Sequence, residues 1–249
     1  MSRAVLRVAM WSGPRNISTA MMRAWENRGD CAVSDEPLYA AYLVATGLDH
    51  PGREEIIAAG DTDPARVAQA LSLGPAPGGR PVWYQKHMSH HLLSGQDRAW
   101  VHDLANVFLI RDPAQVVESY LKSRATVQPE DIGLLQQASL FDLVAEHLGR
   151  APPVIDADDF LRAPAAHLRL LCGHLGIAYA DAMLSWPAGP RDSDGVWAPH
   201  WYDAVLASTG FEPWRPRRPQ LSGHALAVAE ACRPAYERLR AHRMALPGD

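Results

Sequence analysis

Cysteine is scarce in this 249-residue chain: Cys31, Cys172 and Cys232 are odd in number, widely spaced and outside any C-x-x-C arrangement. That pattern excludes a disulfide framework and a zinc knot, and it fits a reducing compartment. Positive charge is not in excess either. Lys and Arg number 24 against 28 Asp and Glu, a formal net charge of -4, which argues against a protein that holds nucleic acid by bulk charge; any anion must be captured by a local site. Long apolar runs are missing as well. The run near the first residue ends at Gly13-Pro14, too short for a membrane span and without a small-residue cleavage site. The expectation is a cytoplasmic protein with neither a membrane nor a nucleic acid as partner. No repeat period and no low-complexity tract is visible.

What is present is ample material for a core. Hydrophobic residues make up 47% and charged residues 21%, a balance that excludes disorder. The length suits one α/β domain over residues 1–249, carrying insertions. Short apolar runs at 5–10, 31–34, 82–84, 105–110 and 154–156 read as buried strands. Helical patterns lie between them: from Ser18-Thr19 to Arg28-Gly29, from Pro113 to about Arg124, from Gly133 to Leu148 and from Ala165 to Leu175, with a last one from His224 to Arg243. Strands alternating with helices predict a three-layer α/β/α sandwich with a central parallel sheet. Residues 38–79 read as a helical insertion over the sheet edge. Residues 187–218, rich in Pro, Trp, Gly and Arg, read as a loop-rich cap.

In an open parallel sheet, ligands bind at the carboxyl ends of the strands. Four polar clusters fall at predicted ends: Ser12 to Thr19, Asp35-Glu36, Gln85-Lys86-His87 and Arg111-Asp112. The first feeds a helix N-terminus, whose free N–H groups and positive dipole end make a ready anion site. Arg15 adds a fixed charge, and Ser18 and Thr19 add hydroxyls. The bland alternative is that Ser18 or Thr19 merely caps the helix while Arg15 is solvated. The Walker pattern is absent, since its second Gly and its Lys are missing at the required spacing, and no carboxylate pair suited to magnesium stands out. A donor whose transfer needs no metal fits better.

Pro14-Arg15-Asn16-Ile17-Ser18-Thr19 resembles the 5′-phosphosulfate loop of sulfotransferases that use 3′-phosphoadenosine 5′-phosphosulfate (PAPS), in a subgroup with Gly-Pro-Arg-Asn at this loop. Arg111, followed eight residues later by Ser119, is similar to that family's 3′-phosphate motif. Gln85-Lys86-His87 resembles its Lys-x-His segment, shortened by one position, and Asp35-Glu36-Pro37 the Glu-Pro segment of bacterial members. Two departures are plain. Ile17 replaces the usual Gly, which permits φ > 0 where Ile resists it. The family's C-terminal Arg-Lys-Gly segment has no clean counterpart; Arg191, Arg215, Arg217 and Arg218 either replace it or belong to a solvated loop.

The resemblance implies a fold like that of P-loop nucleoside triphosphate hydrolases and a transfer of a sulfuryl group from PAPS to a hydroxyl or amine of a small-molecule acceptor, leaving adenosine 3′,5′-bisphosphate. It implies that residues 14–19, Arg111 and Ser119 bind the nucleotide, and that Arg15 and Lys86 offset the charge on the bridging oxygen. Glu36 or His87 is then the base, Glu36 ahead because Pro37 favours an extended backbone before it. No metal is expected. His87, His90 and His91 have the spacing of a polar helix face and lack partner ligands. Trp186, Trp197, Trp201 and Trp214, with Tyr202 and Phe211, read as packing residues, one or two of them lining the acceptor pocket. A P-loop small-molecule kinase and a non-catalytic nucleotide-binding protein are the rival readings. The oligomeric state stays open, a homodimer included.

Overall fold

A computed structural model describes residues 4–246; the first and last three residues of the expected domain lie outside it. The chain opens with strand β1 (Leu6–Ser12), helix α1 (Ser18–Glu26) and strand β2 (Cys31–Asp35). Helices α2 (Tyr39–Thr46), α3 (Arg53–Ala59) and α4 (Pro64–Leu73) follow before strand β3 (Val82–Met88). Next come β4 (Ala105–Ile110), α5 (Pro113–Tyr120), α6 (Pro129–Ile132), α7 (Leu134–Leu148) and β5 (Val154–Asp156). Helices α8 (Ala157–Arg162), α9 (Pro164–His174), the short α10 (Ala198–Trp201) and α11 (Asp203–Leu206), and α12 (Gly223–Arg240) follow, with irregular chain between α9 and α10 and between α11 and α12.

The five strands form one parallel sheet in the order β2-β3-β1-β4-β5. Strand alternation sends successive side chains to opposite faces, so β1 divides its residues between two cores. Ala9 and Trp11 join Phe108, Val117, Phe141 and Cys232 in a layer built from α4, α5, α7 and α12. Val8 and Met10 join Met21, Trp25, Leu109 and Leu171 in the opposite layer of α1, α8 and α9. Helix α1 buries Ser18, Met21, Met22 and Trp25 at the spacing of one helical face, and also Ala24 and Arg23, the latter paired with Asp194 at 2.7 Å. The outcome is the three-layer sandwich expected from the sequence. A third cluster packs α2 and α3 against α10 and α11 through Tyr39, Leu43, Ile56, Trp197 and Tyr202.

Local chemistry explains the element starts. Asp112 caps α5 by accepting from the Ala114 and Gln115 N–H groups at 2.9 and 3.3 Å, with Pro113 in the first turn where its missing N–H costs nothing. Asp156 caps α8 in the same way, a short helix that apolar periodicity does not announce. Gly13 sits where a Cβ would overlap the Ile132 carbonyl oxygen, so its smallness lets α6 close over the end of β1. No helix among the described residues is long and apolar enough to cross a membrane.

Strand β3 departs from expectation. It continues four residues past Tyr84, so Gln85-Lys86-His87 lies within the strand and not after it. These polar side chains are all buried: the Gln85 amide donates to the Leu71 carbonyl at 3.0 Å, and the His87 ring stacks on Trp11 with centroids 4.3 Å apart while its Nδ1 has no hydrogen-bond partner.

Candidate active site

The chain leaves β1 toward β2 on one side of the sheet and leaves β4 toward β5 on the other, so the crevice between their carboxyl ends is where open α/β sheets place ligands. A cavity of about 360 Å³ opens there. Pro14, Arg15, Asn16, Ile17, Ser18, Thr19, Arg111 and Ser119 line it, as do Glu36 and Lys86. His87 does not.

One wall is the loop from β1 into α1. Asn16 ties it down, donating to the Leu109 carbonyl at 3.1 Å and accepting from the Ile17 N–H at 2.8 Å. The left-handed turn falls at Arg15 (φ 54°), while Ile17 has φ −83°. The positive φ thus lies two positions before Ile17, which keeps a backbone suited to a β-branched residue. Ser18 is the first helical residue and Ile17 occupies the cap position without a side-chain bond, so neither Ser18 nor Thr19 caps α1. The first-turn N–H groups face the cavity with no side-chain acceptor.

Arg15 and Arg111 meet at this wall. Arg15 Nε donates to the Ser119 hydroxyl at 3.1 Å, and Arg111 donates to the Arg15 carbonyl at 2.6 Å. Arg111 also holds Gln115 at 3.1 Å, and Gln115 in turn reaches Asp158 at 3.0 Å. Burial, followed by the charge of Arg217, lowers the pKa of the Arg111 guanidinium. Of the four C-terminal arginines singled out from sequence, Arg217 lines the cavity, while Arg191 pairs with Glu26 at 3.5 Å. Among the described residues, Arg15, Arg111 and Arg217 make no ion pair with a carboxylate. Three guanidinium groups beside an open helix N-terminus are a receptor for a polyanion.

The opposite wall is a buried charge network. Lys86 Nζ donates to Asp35 at 2.8 Å, Glu36 at 2.5 Å and the Tyr202 hydroxyl at 2.8 Å. Tyr202 donates onward to Asp35 at 2.7 Å and accepts from Trp197 Nε1 at 3.1 Å. An ammonium has three N–H donors, and all three are committed. Lys86 therefore holds the two carboxylates in place and has no donor left for the bridging oxygen of a bound nucleotide. Desolvation works to lower its pKa, but Asp35 and Glu36 outweigh it and hold the ammonium well above its usual range.

Glu36 is not extended, contrary to the effect expected of Pro37. Its φ is +40°, and Arg15 and Glu36 are the two non-glycine residues with positive φ among those described. Its backbone N–H donates to the Lys86 carbonyl at 2.9 Å while its carboxylate is held by Lys86 Nζ, and this double hold outweighs the local preference. Backbone strain of this kind concentrates at functional sites. Burial pushes the Glu36 carboxyl up, against the pull of Lys86, with Asp35 adding to the rise. His87 points the other way, into the layer of α4 and α7, between Trp11 and Trp100. Burial and the charge of Lys86 lower its pKa to about 3. Sheet alternation thus separates it from the cavity that Lys86 faces, and removes it as a candidate base.

Several cavity residues escaped the sequence reading. His90 and His91 lie in a tight turn, not on a polar helix face, and both line the cavity. His91 is stacked between Tyr39 and Tyr42 at 4.5 and 4.6 Å, with Nδ1 3.9 Å from Glu36 Oε2. His50, Arg124, Trp201, Tyr202, Phe211 and Glu212 are also among the lining residues, so three of the six aromatics singled out face the cavity. The only available signal for His90 and His91 was their adjacency to the Lys86 segment.

The sulfotransferase domain family's sequence model matches residues 6–243. Two Arabidopsis thaliana proteins named branched-chain-amino-acid aminotransferase-like protein 2 and protein 1 are 35% and 38% identical over 232 and 237 residues. Each match covers 93% of this chain but 41% of the relative, so the chain spans about two fifths of the length of these curated relatives. Among solved structures, a sulfotransferase from Alicyclobacillus acidocaldarius superposes with a TM-score of 0.56 at 12% identity, covering 97% of this chain and 98% of that one. At that identity the likeness concerns the fold alone.

Proposed function

The chain belongs to the sulfotransferase domain family, and on that premise we propose that it moves a sulfuryl group from PAPS to a hydroxyl or amine of a small-molecule acceptor. The observation that carries the donor half is the group of Arg15, Arg111 and Arg217 without carboxylate partners at the start of α1. Arg111 and Ser119 hold the 3′-phosphate and residues 14–19 the 5′ end, with Arg217 in place of the missing C-terminal segment. Bound there, PAPS supplies a sulfuryl group whose S–O bond to phosphate breaks as the acceptor's bond to sulfur forms. Arg15 and the N–H groups of Ser18 and Thr19 offset the negative charge left on the phosphate side.

Glu36 takes the proton from the acceptor. Its Oε1 is engaged by Lys86 and its Oε2 makes no hydrogen bond, so one carboxylate oxygen is free to receive a proton. A carboxylate reference pKa of about 4.3 makes a weak base at neutral pH, and burial moves Glu36 in the useful direction. Lys86 is a positioning residue: it orients Glu36 and is itself neutralised.

The test is transfer from PAPS across a panel of phenols, alcohols and amines, with sulfated product and adenosine 3′,5′-bisphosphate counted together by mass spectrometry. Equal amounts of the two support the reading. In Glu36→Gln the transfer rate falls by about 10²–10⁴-fold while bisphosphate affinity stays within about twofold. A Glu36→Gln protein that keeps most of its rate contradicts the assignment of the base.

A further inference from the structure

Five cations line the cavity: Arg15, Lys86, Arg111, Arg124 and Arg217. Lys86 is neutralised by Asp35 and Glu36, and Arg15, Arg111 and Arg217 form the anion-binding wall described above. Arg124 stands apart from both. Its guanidinium lies over the Trp201 ring, 5.5 Å from the centroid, and donates to the Asp49 carbonyl at 3.3 Å. Its charge is felt by Tyr39, Tyr42, His50 and Tyr120. None of these belongs to the wall of Arg15 and Arg111. Among the described residues no carboxylate lies within ion-pair distance of Arg124, and its buried Nε–H has no acceptor.

Asp49 and Asp131 act on the same neighbours as Arg124, but neither carboxylate pairs with it. Burial, reinforced by Arg124 itself, lowers the pKa of His50 to about 4, so its ring is neutral, and its Nδ1 lies 2.7 Å from the Tyr39 hydroxyl. Tyr39 stacks on His91, whose Nδ1 is 3.9 Å from Glu36 Oε2. The same aromatic wall therefore carries both the free oxygen of the base and a guanidinium that lacks a counter-ion. Tyr39, Tyr120, Trp201 and Val205 line the same cavity. A partly buried cation without a counter-ion is unfavourable unless a ligand supplies one, and a guanidinium stacked on an indole still presents its in-plane N–H fork to a carboxylate.

We infer that the acceptor is a hydroxyl- or amine-bearing compound with an apolar or aromatic body and a carboxylate, the carboxylate bound by Arg124 beside Trp201. The inference rests on the sulfuryl-transfer reading for the hydroxyl end and on Arg124 alone for the charged end.

The experiment measures binding by calorimetry for matched pairs that differ in the carboxylate: para-hydroxyphenylacetate against tyrosol, and ω-hydroxyhexanoate against hexanediol. Each is titrated with and without adenosine 3′,5′-bisphosphate, into the full chain and into Arg124→Met, which keeps the apolar stem over Trp201. The expected result is a preference of about 10- to 100-fold for the carboxylate member of at least one pair. That preference is lost in Arg124→Met, with bisphosphate affinity within about twofold. If Arg124 only props up Trp201, both members weaken together and their ratio does not change, which overturns the inference. A preference that survives in Arg124→Met, the absence of any preference in both pairs, or a loss of bisphosphate affinity in the variant overturns it as well. Failure of the bisphosphate to bind while the carboxylate preference holds removes the nucleotide reading and leaves Arg124's role standing; the reverse pattern does the opposite.

Discussion

Lys86 is the residue whose removal tests the buried network most severely. Its side chain is 1% exposed and faces Asp35 at 2% and Glu36 at 10%, all within 2.8 Å of the ammonium. Replacing it by Met keeps the apolar stem and leaves two carboxylates without their counter-charge. Breaking a buried ion pair from one side costs about 3–5 kcal/mol, and with two partners stranded Lys86→Met belongs at the upper end. For a chain of this size that corresponds to a fall in Tm of roughly 6–20 °C. The loss has a pH signature. With the ammonium gone, the Glu36 carboxyl, already raised by burial, rises further, so the folded state binds protons more readily and the deficit shrinks as pH falls. Urea unfolding of the wild type and Lys86→Met at pH 7.5 and pH 5.5 checks both, with Lys86→Met/Asp35→Asn/Glu36→Gln as the third member. The triple variant, having no stranded charge, recovers most of the loss. A loss below about 1 kcal/mol, or a triple variant no better than the single one, refutes the description of Lys86 as a neutralised positioning residue.

Two further outcomes follow from the same geometry. Arg111→Ala removes a charge-assisted contact worth roughly 1.5–3 kcal/mol, so bisphosphate affinity drops by about one to two orders of magnitude with an unchanged circular dichroism spectrum; unchanged affinity means that the match to the phosphate motif is accidental. His87→Phe keeps the stack on Trp11 but removes a ring that stays neutral in the fold, with its pKa lowered to about 3. Below the unfolded value of about 6.5 the unfolded chain takes up a proton that the folded one does not, so His87 withdraws about 1.5 kcal/mol of stability between pH 6.5 and pH 5.0. Urea unfolding at the two pH values shows a smaller acid loss in His87→Phe by that amount, and an identical loss in both proteins sinks the argument.

The sheet was readable where its chemistry is local. Residues 105–110 form an uninterrupted apolar run closed by Arg111-Asp112-Pro113, and the strand, cap and helix start appear there as predicted. The loop from Pro14 to Thr19 was likewise placed at a strand end by its own residues. Strand β3 was truncated because Gln85, Lys86 and His87 look like a turn until their partners are known, and those partners, Leu71, Tyr202 and Trp11, come from distant segments. The same non-locality hid Arg124 and His50, whose relevance depends on α10 folding over α2. At Glu36 a local rule was overridden: the preference imposed by Pro37 gives way to the hydrogen bonds of the Glu36 backbone and carboxylate to Lys86. Side-chain alternation along β3 turns His87 away from the cavity that Lys86 lines, a one-residue difference that spacing alone does not rank.

The central claim is that the wall of Arg15, Arg111 and Arg217 receives a nucleotide bearing a 3′-phosphate, and calorimetric titration with adenosine 3′,5′-bisphosphate, AMP and magnesium ATP measures it most directly. The account predicts saturable binding of the bisphosphate at least about tenfold tighter than AMP, since the extra phosphate adds a charge-assisted contact, with ATP weaker than the bisphosphate. Equal affinity for AMP and the bisphosphate, or tightest binding of magnesium ATP, contradicts it.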